Sequence, residues 1–218
     1  MDQDAPQSLA LFSGTSHLSL NVVILAGGKS RRMGRDKGLI QWRGMTFLER
    51  CARVGLAVGN RCTTGTPWAG RYQPTLPADL LAHLHWCLDP IPGAGPPQAI
   101  AQLLTLPPAV NHPWTLVLAC DLPKLNPTLL LTWRSHLDKI APDVFAYVPR
   151  WGDRWEPLCS FYRPQAGDSL QGFLKGGGRS LQHWLKIQQA HCAAKAIPLT
   201  SAEHSTLYNC NTPADLNL

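Results

Sequence analysis

The sequence lacks several patterns that would assign a function directly. Its seven cysteines are an odd number and include no C-x-x-C pair, so neither a disulfide framework nor a cysteine-rich metal site is predicted. It has no apolar run long enough to span a membrane and no block of like charges that would form a basic tail. The first residues, Met-Asp-Gln-Asp, do not resemble a secretory signal. We therefore expect a cytoplasmic protein with reduced thiols that binds neither membranes nor nucleic acid.

Two common phosphate-binding loops are also absent. Gly28-Lys29-Ser30 is similar to the end of a P-loop, but the first glycine of that motif would fall where this chain has Val23. The dinucleotide fingerprint G-x-G-x-x-G does not match glycines at positions 27, 28 and 34. The sequence shows no Ser-His-Asp arrangement and no nucleophile elbow. We therefore expect catalysis by positioning and charge neutralisation, without a covalent enzyme intermediate.

An apolar segment that runs into a glycine-rich, basic loop is the main positive feature. The apolar residues Val22 to Leu25 predict a buried strand, and Gly27 and Gly28 follow it directly. The basic residues that come next are Lys29, Arg31, Arg32, Arg35 and Lys37. Glycines let backbone N–H groups approach anionic oxygens closely, and Lys and Arg neutralise them. We expect a phosphate-bearing ligand here, and the net charge of +6 suits a polyphosphate substrate.

Alternating strand and helix patterns predict an α/β fold with a mostly parallel sheet. A capping box at Thr46 and Glu49 predicts a helix over 47–58, and Asn126-Pro127 predicts the start of a helix that ends near 137. The other predicted elements are strands at 61–66, 85–88, 114–119, 144–148 and 158–162, a hairpin turn at 151–153, helices at 98–104 and 181–187, and an extended segment at 207–211. Residues 68–77 are interpreted as loop. The length suits one domain over 18–218 after a flexible extension over 1–17.

Two aspartates follow predicted strands, at the edge where parallel sheets bind ligands. Asp89 comes after the strand at 85–88 and could accept hydrogen bonds from ribose hydroxyls or a base N–H. Asp121 comes after the strand at 114–119 and suits Mg²⁺, which takes one or two carboxylates together with phosphates and water. Simpler interpretations stay open, because Asp89 precedes a proline in a turn and Asp121 precedes a helix that it could cap.

The stretch Leu25-Ala26-Gly27-Gly28-x-Ser30-x-Arg32-Met33-Gly34-x-Asp36-Lys37 resembles the signature of the MobA family, the molybdenum cofactor guanylyltransferases. Asp89 followed by Gly95-Pro96, the pair Cys120-Asp121, and Asn209-x-Asn211-Thr212-Pro213 agree with it. The resemblance covers about residues 20 to 217 and is weakest over 60–85 and 165–200. It implies a three-layer, Rossmann-like nucleotide-diphospho-sugar transferase fold. It also implies transfer of GMP from GTP to molybdopterin, with release of pyrophosphate.

The same resemblance implies roles for individual residues. The implied catalytic residues are Arg32, Lys37 and Asp121; the nucleotide-binding residues are Leu25, Ala26, Gly27, Gly28, Lys37, Asp89 and Asp121; and the pterin-binding residues are Gly95, Asn209 and Asn211. Asp121 is the implied ligand of Mg²⁺. The implied partners are GTP and molybdopterin, with molybdenum-insertion proteins and apo-molybdoenzymes or their chaperones as further candidates.

The chain departs from the family pattern after its second predicted strand and again at Ala99, where the family usually has a glycine, and two other functions stay open. The family often has an asparagine after its second strand, where this chain has Thr63-Thr64-Gly65-Thr66. Either a threonine hydroxyl replaces that contact to the nucleotide or the contact is lost. The alternatives are a nucleotidyltransferase that uses CTP or a sugar phosphate, and a non-catalytic molybdopterin carrier. Gly28 in place of a bulkier residue, and the absence of an obvious sugar-binding segment, favour guanylyl transfer.

Overall fold

The computed structural model describes residues 18–27, 35–88, 93–212 and 214–215. The strands in these ranges are β1 (Leu20–Leu25), β2 (Gln41–Trp42), β3 (Met45–Thr46), β4 (Arg61–Thr66), β5 (Leu84–Leu88), β6 (Trp114–Ala119), β7 (Ala146–Trp151), β8 (Arg154–Trp155), β9 (Cys159–Tyr162) and β10 (Ala194–Pro198). The α-helices are α1 (Phe47–Val58), α2 (Ala69–Tyr72), α3 (Ala78–Leu81), α4 (Pro96–Thr105), α5 (Pro127–Arg134), α6 (Gln165–Lys175), α7 (Leu181–Ala190) and α8 (Ser201–Thr206). Short 3₁₀ helices occupy Lys37–Leu39, Gln73–Thr75, Ala109–Asn111 and Leu137–Lys139.

The main sheet is mixed but mostly parallel, with the order β10-β7-β9-β6-β1-β4-β5 and with β8 paired to β7. β1 is parallel to both β4 and β6, and β4 is parallel to β5. β9 is antiparallel to its neighbours β6 and β7. Leu25 lies opposite Gly65 on β4 and opposite Ala119 on β6. The ends of β1 and β6 therefore lie side by side, which brings the end of β1 close to Asp121.

Helices cover both faces of this sheet and give the three layers that the sequence predicts. On one face, Val22 and Ile24 pack with Leu48 of α1 and Leu130 of α5. On the other face, Val117 of β6 packs with side chains of α4, α6 and α7, which include Ile100, Leu170 and Trp184. Because β1 and β6 are buried on both faces, their sequences are nearly continuous apolar runs, in which Asn21 and Thr115 are the polar residues and hydrogen-bond to each other. Within the described ranges, no helix has the length and apolar character needed to cross a membrane.

Strong local signals placed several elements correctly. The helix over 47–58 and the strands over 61–66 and 114–119 have the predicted bounds. The Thr46 hydroxyl accepts a hydrogen bond from the Glu49 N–H at 3.1 Å, as predicted, but the Glu49 carboxylate pairs with Arg53 instead of completing the capping box. Asn126 caps α5 by accepting from the Thr128 N–H at 2.9 Å. The strands predicted at 144–148 and 158–162 do pair antiparallel, as β7 and β9, but the short strand β8 follows the turn and also pairs with β7.

Other predictions of secondary structure were wrong. The segment at 68–77 contains α2 and a 3₁₀ helix, and the helix after Pro127 ends at Arg134. The segment at 207–211 adds no strand to the described sheet. The sequence also gave no sign of α6 or β10. Glycine lowers the helix propensity of α6, but a Cβ at Gly167 would lie 2.8 Å from Thr105 Cγ2. Close packing on α4 therefore explains both the glycine and the helix.

Candidate active site

The two residues after β1 lie close to β4 and to the loop that follows it. The Ala26 N–H donates to the Gly65 carbonyl at 3.0 Å, which continues the pairing of β1 with β4 by one residue. Gly27 then has a φ of +152°, and a Cβ there would lie 2.7 Å from Pro67 Cδ. A side chain at this position would collide with the loop after β4. Gly27 is therefore required by the close approach of two backbone segments at the edge of the sheet.

Asp36 holds the backbone at the start of the 3₁₀ helix that follows the basic loop. Its Oδ1 accepts from the Gly38 N–H at 3.0 Å, which caps the 3₁₀ helix Lys37–Leu39. The Tyr72 hydroxyl lies 2.8 Å from both oxygens of the same carboxylate, and Arg71 Nη1 donates to Oδ2 at 3.1 Å. Burial, followed by the hydrogen bond to Asp36, raises the pKa of Tyr72, so its hydroxyl remains a donor. These contacts anchor the backbone next to Lys37.

Lys37 joins three distant parts of the sequence. Its Nζ lies 2.6 Å from Asp121 Oδ2 and donates to Asn211 Oδ1 at 2.8 Å. Asp121 follows β6, and Asn211 belongs to the C-terminal segment after α8. The side chains of Lys37 and Asp121 are only 18% and 13% exposed, so the pair is shielded from bulk water. The lysine after β1 and the asparagine near the C-terminus therefore share one site.

Asp121 has one oxygen that could take a cation. Oδ2 is bonded to Lys37, whereas Oδ1 is buried and has no hydrogen-bond partner among the described residues. A buried carboxylate oxygen without a partner is costly, and a hard divalent ion would satisfy it. The ranges 18–27, 35–88, 93–212 and 214–215 hold no group of three or more His, Cys, Asp or Glu side chains that could bind a metal. A divalent ion at Asp121 would thus depend on substrate oxygens and water for most of its ligands.

The thiol beside this carboxylate is not a candidate nucleophile. Cys120 is 7% exposed, and burial, reinforced by the charge of Asp121, raises its pKa well above the ordinary value. A thiol of this kind stays protonated, and a protonated thiol is a poor nucleophile and metal ligand. Cys120 therefore has the environment of a structural thiol.

The C-terminal segment is attached to the site through its backbone. The Cys210 N–H donates to the Asp121 carbonyl at 3.0 Å. The Asn211 amide Nδ2 donates to the Asn209 carbonyl at 3.2 Å. The side-chain Oδ1 of Asn209 is buried and unpaired within the described part of the chain. The Asn211 side chain is thus held beside Lys37, and Asn209, two positions earlier, keeps a side-chain acceptor for a ligand N–H.

The structure brings together part of the predicted site. Lys37, Asp121 and Asn211 are in direct contact, Asn209 is bonded to Asn211, and Leu25, Ala26 and Gly27 form the adjacent end of β1. Gly95 precedes α4 with a φ of +89°, a conformation that favours glycine. Gly28, Arg32 and Asp89 lie outside the described residues. Thr66 Oγ1 accepts from the Trp68 N–H at 3.1 Å, and Thr63 and Thr64 are buried in β4. Whether any of these threonines contacts a nucleotide stays a prediction.

Tyr72 is a supporting residue that the sequence did not reveal. It is fully buried and lies at the end of α2, in a segment interpreted as loop. A tyrosine in an apparent loop carries no local signal of an interaction with a carboxylate thirty-six positions away. Only the packing of α2 against the start of the 3₁₀ helix reveals it.

Comparison with known proteins identifies a family. Residues 22–192 match the family model of the MobA-like NTP transferase domain. A protein of Trichormus variabilis named a probable molybdenum cofactor guanylyltransferase is 36% identical over 199 residues, which are 91% of this chain and 89% of that protein. A molybdenum cofactor guanylyltransferase of Pseudomonas paraeruginosa is 31% identical over 198 residues, with 88% and 90% covered.

A solved structure has the same fold at lower sequence similarity. Molybdopterin-guanine dinucleotide biosynthesis protein A of Archaeoglobus fulgidus superposes with a TM-score of 0.68 and 20% identity, covering 90% of this chain and 95% of that one. The superposition supports the Rossmann-like α/β fold of nucleotidyltransferases. Enzymes of this family generally use a divalent metal ion, and the unpaired oxygen of Asp121 is suited to one. From the family match, the two relatives and the fold, we conclude that this chain is a nucleotidyltransferase that belongs to the MobA-like NTP transferase family.

Proposed function

We propose that this protein transfers GMP from GTP to molybdopterin, which gives the guanine dinucleotide form of the cofactor and pyrophosphate. The observation that carries the proposal is the contact between Lys37 and Asn211. Lys37 lies at the end of the basic loop, and Asn211 lies in the C-terminal segment. One site thus combines a phosphate-binding cation with amide groups suited to a pterin. The names of the two relatives support guanylyl transfer.

The nucleotide would occupy the carboxyl ends of β1 and β6. Leu25, Ala26, Gly27 and the following Gly28 would line the nucleoside and its phosphates, and Asp89 would bind the nucleoside from the end of β5. Lys37 would neutralise the triphosphate. Its ammonium lies in a shielded position, where a charged hydrogen bond to a phosphate is stronger than it would be in open water.

Molybdopterin would bind at Gly95, Asn209 and Asn211. The buried Oδ1 of Asn209 needs a donor, and a pterin ring offers amino and ring N–H groups. Asn211 bonds to Lys37 and so links the two halves of the site. An acceptor phosphate bound here would reach the nucleotide beside the Lys37 ammonium.

The reaction would be a direct displacement at phosphorus. An oxygen of the terminal phosphate of molybdopterin forms a bond to the α-phosphorus of GTP, and the bond between that phosphorus and the bridging oxygen of the β-phosphate breaks. Pyrophosphate leaves with the electron pair. Lys37 and Arg32 would compensate the negative charge that accumulates around the reacting phosphates. Mg²⁺ held at Asp121 would supply further charge neutralisation and orient the phosphate oxygens.

The product must reach other proteins. We propose molybdenum-insertion proteins and apo-molybdoenzymes or their chaperones as the partners that exchange the cofactor with this enzyme. A pull-down with the purified, product-loaded protein against individual candidate partners would test this. Retention that does not depend on bound product would contradict it.

The decisive experiment is an anaerobic incubation of the purified protein with molybdopterin, Mg²⁺ and each of GTP, CTP and UTP in turn. We expect the mass of the guanine dinucleotide, with an equal amount of pyrophosphate, only in the reaction with GTP. A cytosine dinucleotide in place of the guanine product would overturn the assignment of the base. Tight binding of molybdopterin without release of pyrophosphate under any condition would instead identify a carrier.

A further inference from the structure

A carboxylate outside the catalytic cluster organises the whole C-terminal segment. Asp215 Oδ2 accepts from the Asn211 N–H and from the Thr212 N–H, both at 2.8 Å. Its Oδ1 accepts from the Tyr208 hydroxyl at 2.7 Å. A single side chain thus binds three donors that lie three to seven positions earlier in the chain. These are charge-assisted hydrogen bonds, which are stronger than neutral ones.

A second set of contacts attaches the same segment to the rest of the protein. The Cys210 N–H donates to the Asp121 carbonyl at 3.0 Å, and the Cys210 thiol lies 3.6 Å from the Asp215 carbonyl. The Asp215 N–H also donates to the Thr212 carbonyl at 3.1 Å. The loop between α8 and Asp215 is therefore held both by the end of β6 and by Asp215.

These contacts determine which atom of Asn211 faces the catalytic lysine. The Asn211 backbone N–H is used by Asp215, and the side-chain Nδ2 donates to the Asn209 carbonyl. A lysine ammonium only donates hydrogen bonds, so the group that faces it must be the amide oxygen. With the backbone and Nδ2 both fixed, Oδ1 is directed at Lys37 Nζ, 2.8 Å away.

We propose that Asp215 is a positioning residue of this enzyme. It folds the segment from Tyr208 to Thr212 so that Asn211 meets Lys37 and Asn209 presents its free oxygen to the acceptor substrate. This inference rests on the proposed function, because it assigns these asparagines to the molybdopterin half of the site. Three hydrogen bonds lower the pKa of Asp215 to about 2, with the bond from Tyr208 contributing most. The carboxylate is therefore ionised whenever the enzyme is near neutral pH.

The test compares three variants of the full chain. Asp215→Asn keeps the shape of the side chain but removes its charge. Its NH₂ group replaces an acceptor oxygen, so it faces either the Tyr208 hydroxyl or the N–H groups of Asn211 and Thr212. Asp138→Asn is the matched control, because it makes the same change at an exposed position in the 3₁₀ helix Leu137–Lys139. Tyr208→Phe removes one of the three donors and leaves the carboxylate with the two backbone N–H groups.

We expect Asp215→Asn to raise the KM for molybdopterin roughly ten-fold, as loss of a charge-assisted contact predicts, while the KM for GTP stays within about two-fold of that of the wild type. Tyr208→Phe should raise the KM for molybdopterin by a smaller factor, and Asp138→Asn should change neither value. Amide exchange at Asn211 and Thr212 should accelerate in Asp215→Asn alone.

Three results would overturn the proposal. The first is an equal KM for molybdopterin in Asp215→Asn and Asp138→Asn. The second is an equal increase in the KM values for GTP and molybdopterin, which would indicate a general defect in folding. The third is unchanged exchange at Asn211 and Thr212. The exchange measurement needs no turnover, so it tests the Asp215 contacts even if the wild-type enzyme makes no dinucleotide, which is the result that would reject the proposed function.

Discussion

Removal of the Tyr72 hydroxyl tests how the structure supports Lys37. In Tyr72→Phe the ring stays in its fully buried position, and Asp36 loses only the hydroxyl that lies 2.8 Å from both of its oxygens. The Asp36 side chain is 10% exposed, so water replaces this donor poorly. Two donors remain, the Gly38 N–H and Arg71 Nη1. The Asp36 carboxylate should therefore stay ionised and in place, but it should stabilise the 3₁₀ helix that contains Lys37 less strongly.

The size of the effect follows from the charge of the acceptor. A hydrogen bond to a charged group contributes about 1.5–3 kcal/mol, and the two remaining donors favour the lower part of that range. For a chain of this length, about 1 kcal/mol corresponds to a change in Tm of roughly 2–4 °C, so we expect a decrease of about 3–8 °C. The affinity for GTP should also fall several-fold, because Lys37 loses part of its fixed position.

Tyr162→Phe provides the matched control. Tyr162 is also fully buried, but its hydroxyl donates to the neutral Pro157 carbonyl at 2.9 Å, on the opposite face of the sheet. Loss of a neutral hydrogen bond should cost about 1 kcal/mol and leave the affinity for GTP unchanged. Thermal unfolding and titration with GTP give both quantities for each variant. Equal GTP affinities in the two variants would refute the link from Tyr72 through Asp36 to Lys37.

Three further substitutions test Asp121 and Lys37 of the candidate site and the distant carboxyl group of Glu156. Asp121→Ala should reduce pyrophosphate release roughly 100-fold or more with an unchanged circular dichroism spectrum, and undiminished turnover would exclude a metal-binding role. Lys37→Ala should weaken GTP binding about ten-fold in a calorimetric titration, and an affinity like that of the wild type would contradict its assignment to the phosphates. Glu156→Gln should raise the Tm at about pH 8 but not at about pH 4. Burial raises the pKa of Glu156 despite the nearby Arg154, so the folded state favours the protonated acid and loses stability as the pH rises; a gain in Tm that is equal at both pH values would contradict this.

Short-range patterns in the sequence accounted for much of the fold. The apolar run in β1, the continuous apolar β6 and the caps at Thr46 and Asn126 are signals that depend on neighbouring residues only. Elements without such signals were missed. α6 contains glycines that weaken helix propensity, and its packing on α4 compensates. The segment 207–211 was predicted to be extended, but it adds no strand to the described sheet, and hydrogen bonds to Asp121 and Asp215 hold it.

The sequence by itself determined the family and the α/β class and predicted which residues bear the chemistry, because these depend on motifs of contiguous residues. Only the tertiary structure decided which of those residues meet. Lys37 is 84 positions from Asp121 and 174 from Asn211, and no local pattern encodes contacts over such separations. They arise because the parallel register sets the ends of β1 and β6 side by side, and because Asp36, Tyr72 and Asp215 fix the backbone on either side of the cluster.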